Sequence, residues 1–312
     1  HLCCSDETLG CRRGKTLQKV VAEETPKTLH VAFRAAEARD YAAFVQLWPE
    51  LTADDPVPLP EQFAVHIAPG TIIAEEKQSG ALLGYVSTAI WGSLLKIDYL
   101  VVTPAARGKS VSVALVEQAL WRAHRGGGVS DVQLTVMPHN ARAIYLYEKL
   151  GLARDYPVLM MRVDASVIER LPRSPALTVA HGSAVDAARV DASLALPEGT
   201  VAAGIAYGFS VVSLARPEGI VGTAVFDPLY DRLSHFAVTT PSVVRTQLEA
   251  VMAERLEVGA AGPLDFMVEG FAEVQDALLA AGATVTLRLD AMTGRLDVAI
   301  KRARDLLGEI AG

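Results

Sequence analysis

The chain has 312 residues, and its 29 Lys and Arg stand against 36 Asp and Glu, a formal net charge of −7 that argues against a nucleic-acid partner. An apolar fraction of 51% with 21% charged residues is the composition of a packed globular protein, which excludes disorder, collagen and coiled coil for most of the chain, and the length suits two domains better than one. The longest uncharged stretches, 78–95 and 199–215, approach membrane-spanning length. Gly, Ser and Thr interrupt both, so each is predicted as a pair of strands joined by a turn, with no membrane partner. The first residues show no charged segment leading into an apolar one, and the simplest expected compartment is the cytoplasm.

Cys3, Cys4 and Cys11 are the only cysteines, which excludes a disulfide framework. Together with His1 they match no standard zinc spacing, so no metal is expected. Residues 1–28 are polar and without period and are predicted as a flexible tail. The run 29–34 then alternates like a strand, and 37–48 repeats apolar residues at helical spacing. Strand, polar turn and strand follow over 69–90, and another strand over 94–102. A helix over 112–124 is stopped by Gly126, Gly127 and Gly128. A strand at 132–136, a helix at 140–150 ended by Gly151 and a strand at 158–163 complete a mixed α/β unit.

The Pro-rich segment 170–177 marks a boundary, giving a unit at 29–165, a linker at 166–176 and a second unit at 177–312. The second unit repeats the first at offsets near 131 to 138. The run 211–226 sits against 72–87, with Gly222 matching Gly84; 235–241 parallels 99–104, 264–268 parallels 132–136, and 274–283 parallels 143–152. Four segments at similar offsets argue for two copies of one fold.

The window 97–152 carries the chemistry. A strand ending Val102-x-Pro104 feeds Arg107-Gly108-Lys109-Ser110-Val111-Ser112 and a helix. The unpaired amides and dipole of a first helical turn make an anion site, and Arg107 and Lys109 add positive charge beside it. Gly108-Lys109-Ser110 also resembles the end of a Walker A loop, but Thr103 stands where its first glycine belongs, and the strand at 132–136 ends in Met137 and Pro138 rather than in a magnesium-binding Asp. Downstream, Asn140, Ala143, Tyr147, Gly151 and Leu152 follow a fixed spacing. Both motifs together resemble the GNAT superfamily of acyl-CoA-dependent N-acyltransferases. The resemblance departs from the family pattern at Ser110 and Ser112, where the family favours glycine and small residues.

That resemblance implies an α/β fold of two GNAT-like domains, each a mixed, mostly antiparallel central sheet flanked by helices. It implies acetyl-CoA as co-substrate, its pyrophosphate on Arg107, Gly108, Lys109, Ser110, Val111 and Ser112, and its pantetheine arm along Leu100, Val101 and Val102 with Asn140 opposite. Tyr147 is carried over as the acid that protonates the departing thiolate. Asp98 is the candidate to take the acceptor amine's proton, directly or through water, with Glu75 and Glu76 as alternatives. Trp91, Tyr99 and Tyr156 are candidates to line the acceptor pocket, while His139 reads as a turn residue before the Asn140 cap and His235 shows no ligand partner. In the second copy Leu278 replaces Tyr147, Phe271 replaces Asn140, and the glycine-bearing loop is missing, so that copy is expected to be degenerate and to cover the first domain's sheet, wall the acceptor cleft or dimerise. The expectation is an N-acetyltransferase acting on a small-molecule or peptide amine; the alternative is a non-catalytic acyl-CoA-binding sensor or scaffold.

Overall fold

The computed structural model of the protein describes residues 30–51, 56–182 and 185–311; the tail expected for 1–28 and its cysteines lie outside them. In chain order the elements are β1 (Val31–Ala35), α1 (Tyr41–Leu47), α2 (Pro60–Gln62), β2 (Thr71–Glu76), β3 (Leu82–Trp91), β4 (Leu94–Val102), α3 (Val111–Gly126), β5 (Asp131–Val136), α4 (Ala141–Lys149), β6 (Ala153–Val163) and α5 (Ala165–Arg170). The second half continues with β7 (Thr178–His181), α6 (Ala187–Ser193), α7 (Thr200–Ala206), β8 (Ser210–Arg216), β9 (Gly219–Asp227), β10 (Arg232–Val238), α8 (Val244–Glu257), β11 (Leu264–Glu269), α9 (Ala272–Ala280), β12 (Thr284–Arg295) and α10 (Leu296–Ala311). No helix among the described residues is long and apolar enough to cross a membrane.

Among the described residues two sheets form, a mixed, mostly antiparallel eight-stranded one in the order β1-β2-β3-β4-β5-β12-β6-β11 and an antiparallel four-stranded one in the order β10-β9-β8-β7. On one face of the large sheet α3 and α10 bury Leu115, Leu120, Ile300 and Ala303 against Leu95, Val132 and Leu134. On the other, Phe44, Trp48 and Phe63 cover Ile73, Tyr85 and Val101. A third core under β8, β9 and β10 takes Phe226, Val251 and Leu278. A fourth joins the halves directly, because Trp91 and Leu94 of the first pack with Val190, Val201 and Val225 of the second. Each core is a contiguous apolar cluster of the kind that holds a domain together.

The repeat is visible in the packing. Gly84 on β3 pairs with Val102 on β4, and Gly222 on β9 pairs with Val238 on β10. A side chain at Gly84 would press onto the Val101 carbonyl, and one at Gly222 onto Gln247 and Val238, so both copies need glycine for the same close approach.

The two halves also exchange strands. β12, the last strand of the chain, lies between β5 and β6, pairing Asp290 with Val136 on one side and Leu289 with Val158 on the other. β6 in turn lies between β12 and β11, where Met161 faces Phe266. Each half is therefore completed by the other's last strand, and a boundary at 166–176 divides the chain without dividing the sheet.

One expectation fails. The stretch 199–215 holds α7 and the start of β8 rather than two strands. The Asp191 carboxylate accepts from the Gly199 and Val201 amides at 2.9 and 3.1 Å and so caps α7, whose Ala202, Ala203 and Ala206 favour helix. The cap comes from an earlier helix, which the apolar run alone does not reveal.

Candidate active site

β4 and β5 run parallel and bond only from Leu94 to Ile97 against Asp131 to Leu134. Beyond Ile97 they separate, leaving Asp98 to Val102 with a ladder to β3 but none to β5. The gap opens into a cleft of about 440 Å³ lined by Asp98, Tyr99 and Leu100 of β4, Thr135 and Val136 of β5, and Asn140 and Tyr147 at α4. Tyr207, Phe209, Asp227, Tyr230 and Arg232 of the second half line it as well. Leu100, Val101 and Val102 thus present an unpaired backbone edge, with the Val101 side chain buried and its neighbours half-buried.

At the end of β4 a 3-10 turn (Pro104–Ala106) leads through Arg107, Gly108, Lys109 and Ser110 into α3. The first bond of that helix runs from the Ala114 amide to the Ser110 carbonyl at 3.0 Å, so the amides of Val111, Ser112 and Val113 precede the ladder. Gly108 has φ +75° and nothing within 4 Å of where a Cβ would sit, so the space over the loop is open. Ser110, at the N-cap, takes φ +61°, a conformation that costs an L-residue about 1 kcal/mol or more. The serine adopts the turn that glycine would adopt freely. Arg107 is ion-paired to Glu50, which offsets its charge, and Lys109 is exposed.

Tyr147 is buried among the residues that pack against α3, and burial pushes its phenol above the ordinary tyrosine value. It stays protonated across the working pH range, as a proton donor must. Asn140 caps α4, its side-chain oxygen accepting from the Ala143 amide at 3.1 Å, and it also faces the cleft. Asp98 is surrounded by protein yet reached by solvent through the cleft; burial raises its carboxyl, and Lys96 and Arg232 oppose that rise.

The alternatives to Asp98 are engaged elsewhere. Glu75 bonds Arg34 at 2.7 Å, which also holds Asp40, and Glu76 bonds Ser79, so neither faces the cleft. Trp91 and Tyr99 line the cleft, whereas Tyr156 donates to Glu269 at 3.1 Å outside it. His235 packs edge-on against Trp91, with its Nδ1 buried and unpartnered, and burial pulls it down to about 4.

The corresponding place in the second half lacks the cradle. The turn Pro241–Val243 passes directly into α8 with no residues matching Arg107 to Ser110, and Val243 and Val244 are fully buried. Arg245 is tied to the Glu169 carbonyl at 2.6 Å, so the chain between the halves covers that helix end. Phe271 stands at the N-cap of α9 and makes no side-chain cap, and Leu278 is core.

The second half lines the cleft, one of the roles expected of it, but sequence reasoning did not name the residues that do so. His66, on a π-helical turn at Phe63–Ile67, faces Asp227 at the end of β9, Nε2 to Oδ1 3.9 Å. A lone His in an apolar run and an Asp ending an apolar strand carry no spacing signal. Among the described residues no group of three or more His, Cys, Asp or Glu is placed to hold a metal.

Residues 35–152 match the profile of the acetyltransferase (GNAT) family. No curated protein matches the chain. Among solved structures, the fold is similar to that of a putative acetyltransferase from Pyrococcus horikoshii, with TM-score 0.57, 12% identity and 85% of this chain covering 89% of that one. It is also similar to a tandem GNAT protein from the clavulanic acid biosynthesis pathway, with TM-score 0.52, 15% identity and 86% covering 99%. A GCN5-related N-acetyltransferase from Sphaerobacter thermophilus gives TM-score 0.56, 15% identity and 85% covering 96%. An acetyltransferase (GNAT) family domain thus occupies residues 35–152, and the fold over most of the chain is similar to that of solved GNAT structures.

Proposed function

We propose that the protein is an acetyl-CoA-dependent N-acetyltransferase whose chemistry lies in the first half. The observation that carries this reading is a cleft that joins an unpaired strand edge, a buried phenol and a carboxylate, on the strand that leads into an open-faced helix start. The open space over Gly108 fits a pyrophosphate on the amides of the Arg107–Ser112 turn, Val111 among them, with Lys109 adding charge. Leu100, Val101 and Val102 offer backbone groups to the pantetheine amides, and Asn140 faces them across the gap. Acetyl-CoA supplies the acyl group as a thioester when bound. Tyr147 gives a proton to the leaving sulfur, and Asp98 draws in the acceptor's ammonium. The aromatic wall of Tyr207, Phe209 and Tyr230 suits a small-molecule or peptide amine whose body is apolar next to the reacting nitrogen.

Calorimetric titration with acetyl-CoA, with Gly108→Trp as control, tests the site, and thiol release across an amine panel tests the reaction. Micromolar binding lost about 100-fold or more in the variant, about 2.8 kcal/mol, together with turnover, is the expected result. Binding without turnover on any amine would leave a sensor. No binding at millimolar acetyl-CoA would remove the proposal.

A further inference from the structure

The acceptor's ammonium must lose a proton before its nitrogen can attack, and a carboxylate is poorly suited to take it. An ammonium paired with Asp98 stabilises the ionised form of that carboxylate and so lowers its affinity for the proton. Asp98 is better suited to hold the cation than to neutralise it.

The cleft contains a second arrangement. His66 comes from the first half and Asp227 from the second, and both line the cleft. Asp227 is nearly inaccessible, and its Oδ1 accepts the Leu229 and Tyr230 amides at 3.0 and 3.3 Å, which fixes the carboxylate in place. His66 keeps 17% of its side chain accessible, with its ring against Phe209 and Tyr230 at 5.3 and 5.8 Å between centroids. At 3.9 Å the contact between Nε2 and Asp227 is electrostatic rather than a hydrogen bond, and it favours the proton on Nε2 and the lone pair on Nδ1. The other charged and titratable groups around the pair are Arg232, which stacks on Tyr230 at 4.4 Å and opposes Asp227, Tyr230 itself, and Asp98 on β4.

We propose that His66, positioned by Asp227 across the two halves, accepts the acceptor amine's proton, while Asp98 binds the ammonium. This rests on the acetyltransfer reading above. One N–H bond of the ammonium breaks, its electron pair stays on nitrogen for attack, and the proton moves to imidazole Nδ1 and from there to solvent. Asp227 offsets the imidazolium that forms. The second half thereby contributes to the proton step although it carries no cradle of its own.

The test uses the full chain with whichever of phenethylamine, spermidine and a free-amino octapeptide turns over fastest. His66→Gln is expected to lower kcat about 100-fold at pH 7 and to remove the acid limb of the pH profile. Asp98→Asn is expected to raise KM about tenfold and leave kcat within about threefold. Asp227→Asn, which keeps the shape of the side chain, is expected to lower kcat about tenfold with KM within about twofold, because the imidazolium loses its counter-charge. A folded His66→Gln that keeps its acid limb, or an Asp227→Asn variant with unchanged kcat, overturns the inference and leaves the acetyltransfer reading intact. Absence of turnover with all three amines overturns both.

Discussion

The helices α3 and α8 follow equivalent strands and equivalent 3-10 turns in the two halves, yet only the first has a gap ahead of it. Before α3, Arg107 to Ser110 swing the chain outward and leave three amides unpaired beside an open space. Before α8 the turn runs straight on, Val243 and Val244 enter the core, and the Arg245 guanidinium closes over the carbonyls of α5 and its end. A few loop residues decide whether a helix start is packed into the core or faces open space. The two halves share the scaffold and differ at this turn.

Substitutions at equivalent positions sharpen that contrast. Tyr147→Phe is expected to lower kcat by about 100-fold or more while the affinity for acetyl-CoA stays within about twofold, read by thiol release and calorimetry. Its counterpart Leu278→Ala is expected to change no chemical step but to cost about 2–5 kcal/mol of stability in urea unfolding, because Leu278 is fully buried in the second half's core. A similar loss of kcat at both positions would break the comparison.

His235 provides a pH-dependent handle on the seam between the halves. Its imidazole falls from the ordinary 6.5 to about 4 in the fold, so between these values the unfolded chain binds a proton that the folded one does not. Stability therefore decreases as pH falls through that window, by about 2 kcal/mol between pH 7 and pH 5. His235→Leu should flatten that part of the urea-unfolding profile; an unchanged slope would show that other groups produce it. The smallest expected effect is at the loop. Ser110→Gly removes the positive-φ cost and should tighten acetyl-CoA binding by no more than about fivefold, about 1 kcal/mol. Weaker binding in this variant would mean that the serine hydroxyl itself contributes to the site.

Most of the first half was legible because its signals are local. Alternation placed β2 to β5, helical spacing and Gly127 placed α3 with its end, and the spacing from Asn140 to Leu152 placed α4 and the phenol. The internal offset revealed the repeated architecture, and the absence of glycine from 240–249 anticipated the direct turn into α8. What escaped depends on contacts far apart in sequence. The insertion of β12 between β5 and β6 leaves no mark on either strand, since an antiparallel edge accepts any strand with a matching pleat. The helical state of 200–206 depends on a carboxylate at 191, and the meeting of His66 with Asp227 depends on the docking of the halves.

The strand exchange also sets the order in which the molecule can be completed. As the chain leaves the ribosome, β5 has no partner on its far side until residues 284–295 have been made, so the sheet that bears the cleft stays open through synthesis of almost the whole second half. Such long-range pairing slows folding and leaves a bare strand edge in the meantime. Severing the chain between α5 and β7 would yield two fragments, each lacking one central strand and each carrying the strand the other lacks. The two pieces are built as mutual complements, and the sheet that bears the cleft is complete only once residues 284–295 are in place.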